Sequence, residues 1–161
     1  MRWSAVGLAM LMLPTGCKVT APGRTKIAMM TLAKHWVFVR GKAARNPIAT
    51  TPQSIADGKE GFGHYCVACH GLDGQNTGVP FADHMDPPVP SLASNETQRY
   101  NDGQLKWVID NGVAPSGMPA SRGILSDDEQ WSIVIYLRHL PPAGSLGEPA
   151  IYGEPAGGGA R

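Results

Sequence analysis

The chain has 161 residues, 42% hydrophobic and 17% charged, with a formal net charge of +1, a make-up that suits a small globular protein. That near-neutrality conceals a split: residues 1–50 carry eight Lys or Arg and no Asp or Glu, whereas residues 51–142 carry five basic and eleven acidic side chains, for charges of +8 and −6. An acidic globule with a basic arm is no nucleic-acid binder, and three cysteines fall short of the two pairs that a ribbon-type zinc site uses.

Residues 3–13 are an apolar run, shorter than the about 20 residues that cross a bilayer but matched to the core of an export signal. The LPTGC that follows looks like a lipoprotein processing site ending at Cys17. This assigns residues 1–17 to a signal peptide of lipoprotein type, with Cys17 as the point of lipid attachment. Two features run against it: Pro14 stands where such sites carry an aliphatic residue, and Lys18, Arg24 and Lys26 follow the run while only Arg2 precedes it. Residues 18–50 form a basic arm suited to anionic lipid headgroups. Within it, residues 27–39 are apolar but broken by Lys34 and His35, and both an interfacial segment and a strip packed on the next domain fit. His35, beside Trp36, reads as interfacial or packed and not as a ligand.

Thr51-Pro52 predicts a helix start, an N-cap followed by proline where its missing amide is not needed. Ile55, Gly58, Phe62 and Tyr65 or Cys66 recur at helical spacing and make one apolar face. Glycine within a helix costs about 1 kcal/mol against alanine, so Gly58 implies close approach by a second helix.

That helix runs into HYCVACHGLDG, residues 64–74. A zinc site lacks its second ligand pair here, because Cys17 lies in the leader and His35, His64, His84 and His139 are isolated. A redox dithiol follows a β-strand and opens a helix, whereas Cys66 stands at a helix end of the opposite polarity. The remaining reading uses every residue of the motif. Cys66 and Cys69 add across the two vinyl groups of one haem, and His70 ligates the iron.

Downstream, residues 71–94 form a long loop that contains His84 and Met85; these read as loop packing or surface. A helix over 102–111 is expected, with Asp102 as N-cap, Leu105, Val108 and Ile109 on its buried side, Gly112 as terminator, and Trp107 either covering the core, the favoured reading, or packing near a propionate. Met118 follows in NGVAPSGMPA, residues 111–120, a turn-rich loop. A methionine bracketed in this way is favoured over Met85 and His84 as the second axial ligand of the iron. Ser126 and Glu129 form a capping box before a last helix marked by Trp131, Val134, Ile135 and Leu137 or Arg138, which stops at Pro141-Pro142. Trp131 and Tyr136 are the expected partners of Gly58 and Phe62. The Gly/Pro-rich tail, residues 143–161, is expected to be disordered.

On Cys66, Cys69 and His70, on Met118 within GMPA, and on the helices that bracket them, residues 51–142 resemble the class I cytochromes c. The resemblance implies an all-α, cytochrome c-like fold of three or more short helices wrapped around one covalently attached haem c, with long loops and a last helix that crosses the first. It implies that Cys66, Cys69, His70 and Met118 bind the cofactor, that His70 and Met118 are the metal ligands, and that no residue is catalytic. The function it implies is one-electron transfer to and from redox partner proteins, with the acidic globule docking a basic patch. The location it implies is periplasmic or otherwise extracytoplasmic, with membrane association through the N-terminus. Two other readings stay open: a haem subunit held permanently in a larger oxidoreductase, and a haem enzyme or gas sensor whose sixth site opens.

Overall fold

A computed structural model describes residues 44–114 and 116–152. The expectations for the signal peptide, for Cys17, His35 and most of the arm, and for residues 153–161 lie outside the described residues. Five α-helices occur among those described: α1 Pro52–Tyr65, α2 Val67–His70, α3 Asn95–Gln98, α4 Asp102–Asn111 and α5 Asp127–Leu137, with a 3-10 turn at Ala82–His84. There is no β-strand among them, only isolated bridges.

The starts of the long helices follow their caps. Thr51 accepts from the Ser54 amide while the Ser54 side chain returns to the Thr51 amide, with Pro52 as the first helical residue. Ser126 and Glu129 form the expected box on α5. For α4 the cap is Asn101, which pairs reciprocally with Gln104, and Asp102 is already helical. The expected assignment was one residue late because Asn and Asp are both strong caps. Gly112 ends α4 at φ +68°, a conformation open to glycine.

Helix α1 packs chiefly on α5, and Gly58 is the point of closest approach: a Cβ there would lie 2.0 Å from the Ser132 carbonyl oxygen. Phe62, 1% exposed, stacks at a tilt on Tyr136 with ring centroids 5.4 Å apart. Trp131 departs from expectation. It is buried, but its carbonyl accepts from Asn46 and Lys106 lies over its ring, so it serves the α4 side of α5. Of the two residues expected to end the apolar face of α1, Cys66 packs against the core and Tyr65 is 54% exposed.

The core comprises Phe62, Leu105, Ile109, Leu125, Ile133, Val134, Tyr136 and Leu137. Trp107 is only half-buried and lies outside this cluster. Arg138 knits the lower edge of the bundle, donating to the Asp102 carboxylate and to the carbonyls of Gln98 and Tyr100. Residues 143–152, expected to be disordered, instead turn back over the loop after α2. The Gly144 amide donates to Asp73 at 2.7 Å, and Pro149 is fully buried.

Candidate haem site

Helix α1 hands over to α2 at Cys66, which caps the C-terminal end of one and the N-terminal end of the other. The Cys66 carbonyl accepts from the amides of Cys69 (3.1 Å) and His70 (3.0 Å). This single turn brings both cysteines and the histidine together. Both thiols are free and half-buried. Burial, with a smaller contribution from Cys69, pushes the Cys66 thiol up to about 12. A redox dithiol needs the opposite shift at its reactive thiol.

His70 is 8% exposed. Burial lowers its pKa to about 4, against a smaller opposing effect of the Pro90 backbone, so the imidazole is neutral at pH 7 with a nitrogen lone pair to offer. Its Nδ1 is buried and lacks a partner of full hydrogen-bond geometry. Neutral, buried and incompletely satisfied, the ring suits ligation of a metal by a neutral imidazole. Among the described residues, no group of three or more His, Cys, Asp or Glu forms an alternative metal site. The other described histidines are engaged or exposed: His64 faces Glu60 at the surface, His139 Nδ1 lies 2.8 Å from the Ile135 carbonyl, and His84 is exposed.

Met118 lies on a separate element, the loop after α4. The Val113 amide donates to the Met118 carbonyl at 3.1 Å, and the Ser116 amide and hydroxyl both donate to the Val113 carbonyl. The loop closes tightly on the Gly112 backbone, where a Cβ would lie 2.5 Å from the Met118 oxygen. Met118 is half-buried, as is Met85. The Met85 methyl group abuts Gly117, so the loop carrying Met85 borders the one carrying Met118.

Residues that sequence reasoning passed over hold both loops. Gln130, 1% exposed, directs its Nε2 toward Ser121 Oγ (3.2 Å) and Asp110 (3.3 Å). Ser121 donates to the Ile109 carbonyl, and Arg122 pairs with Asp110, tying the exit of the Met118 loop to α4 and α5. Beyond the turn at residues 66–70, Asp73 is fully buried and accepts from the Thr77 hydroxyl and the amides of Gln75 and Gly144. Burial alone raises the pKa of this carboxyl; the hydrogen bonds outweigh it and leave the pKa below the ordinary value. The one available signal was its short spacing from Gln75 and Thr77, typical of an Asx turn.

The family model described as "Cytochrome C oxidase, cbb3-type, subunit III" matches residues 53–137. A curated relative, the quinohemoprotein alcohol dehydrogenase ADH IIB of Pseudomonas putida, is 26% identical over 92 residues; the match covers 56% of this chain and 12% of that protein. A chain of the reducing HAO-like protein complex of Kuenenia stuttgartiensis is similar in structure, with a TM-score of 0.49 at 24% identity, over 58% of this chain and 46% of that one.

Proposed function

Because this chain belongs to the c-type cytochrome family of cbb3-type cytochrome c oxidase subunit III, and so carries covalently bound haem c, we propose that it is a mono-haem, one-electron carrier with residues 51–142 as its haem domain. When bound, haem c supplies an Fe(II)/Fe(III) couple. The chain's own residues do the holding and tuning. Cys66 and Cys69 would hold the haem by thioether bonds, and His70 and Met118 would ligate its iron. A thioether ligand would favour the reduced iron over what a second histidine would give.

The observation that carries this reading is the single turn at residues 66–70, where two free, half-buried thiols precede a neutral, buried imidazole. Its test is the optical spectrum of the matured protein. The oxidised native protein and Met85→Ala should show the weak far-red methionine-to-iron band, and Met118→Ala should lose it. Retention of the band in Met118→Ala, with loss in Met85→Ala, would reassign the distal ligand.

We place the protein outside the cytoplasm, anchored by lipid on Cys17 once the signal segment is removed, with the basic arm on anionic lipid, and its redox partners at the acidic domain through a basic patch. Among the described residues no helix is long and apolar enough to cross a membrane. The relative named as a quinohemoprotein alcohol dehydrogenase favours a second reading, in which this chain is the haem-bearing part of a larger oxidoreductase. Co-purification with a second protein at high salt distinguishes that reading from a free carrier.

A further inference from the structure

The segment after α5 has no apolar periodicity, yet residues 141–152 are fastened at points along their length. The Pro141 carbonyl accepts from Gln75 Nε2 at 2.9 Å, and the Gly144 amide donates to the buried Asp73 carboxylate. Glu148 lies against Gly78 so closely that a Cβ there would fall 2.4 Å from its Cγ, and Pro149 is fully buried. Tyr152 packs edge-on against Phe81, with centroids 5.9 Å apart, and donates its hydroxyl to the carbonyl of Ala68. Ala68 lies between the two cysteines of the attachment motif.

Ordering a residue's backbone costs conformational entropy, so a Gly/Pro-rich segment stays in place only where such contacts offset that cost. A four-residue helix such as α2 also leaves its carbonyls without partners of its own. The Val67 carbonyl is met by the Gly71 amide and that of His70 by the Asn76 amide; the Ala68 carbonyl is met from 84 residues away by Tyr152.

We infer that residues 141–152 are a strap whose terminal clamp, Tyr152 on the Ala68 carbonyl, makes Tyr152 a positioning residue for the redox centre. This rests on the reading of Cys66, Cys69 and His70 as the attachment turn. The hydroxyl turns its positive end toward that turn, which favours the less positively charged, reduced state of a nearby iron. Loss of the clamp therefore lowers the reduction potential.

The test uses the full chain matured with haem, and compares the native protein with Tyr152→Phe and Tyr152→Ala. Tyr152→Phe, which keeps the ring stack, should lower the reduced-to-oxidised ratio at fixed ambient potential about threefold, or about 28 mV for one electron. Tyr152→Ala should lower it further and speed amide exchange at residues 66–70 at least tenfold. Unchanged potentials in both variants, each carrying covalent haem, overturn the inference. Native protein without covalent haem after denaturation overturns the attachment reading instead, so the two failures are told apart. If Tyr152→Ala does not mature, Tyr152→Phe decides alone.

Discussion

Asp73 shows how a single side chain can be decisive without looking so in the sequence. Its carboxylate is the common acceptor for the loop after the attachment turn and for the returning strap. Since its folded pKa lies below the ordinary 3.8, its ionised form stabilises the fold; that contribution is complete above the unfolded pKa and is lost as pH falls through the lower, folded one. Asp73→Asn is expected to cost about 1.5–3 kcal/mol at pH 7, and to flatten the loss of stability as the pH falls below about 4. Denaturant unfolding across that range measures both. The cysteines and His70 were legible because their chemistry is written in adjacent residues. Asp73 was not, because its partner Gly144 lies 71 positions away, and a lone loop aspartate looks like any solvated one.

Among the elements, the crossing of α1 and α5 is the contact on which the turn at residues 66–70 depends, because α1 ends at Cys66. Gly58 was legible as a close-approach position, and it meets the Ser132 backbone. Gly58→Ala gains about 1 kcal/mol of helix propensity but forces apart a backbone contact, which costs more. A net destabilisation of about 2 kcal/mol is expected from chemical denaturation of the haem-loaded protein, with no change in the optical spectrum of the fraction that stays folded. The caps of α1 and α5 could be read from local sequence because each is a reciprocal pair three residues apart. The facing of Trp131 could not: residues 130–137 of α5 are all buried, so no polar stripe marks which side meets which neighbour.

At the scale of the whole molecule, charge and order do not follow composition alone. Asp57, Glu60, Asp83, Asp86, Glu96, Asp127, Asp128 and Glu129 are exposed, so most of the acidity of the domain reaches solvent. Reduction by a small cationic reagent should slow as ionic strength rises from 0.01 to 0.5 M, and reduction by an anionic one should quicken, because screening shortens from about 30 Å to under 10 Å over that range. Stopped-flow rates at several salt concentrations test this. The all-helical fold was legible from caps and periodicity, whereas the return of residues 143–152 was hidden by a Gly/Pro/Ala composition that carries no periodic signal. Its contacts are few and specific, and none repeats.

The thin core and the long loops are explained by a tetrapyrrole bonded to the chain, and this can be weighed directly. Mass spectrometry of the denatured, acid-acetone-extracted polypeptide, expressed with haem-maturation machinery, should find one haem per chain, and none in the Cys66→Ala/Cys69→Ala variant. A native polypeptide that emerges with no added mass, from a host that matures other c-type cytochromes, would contradict it.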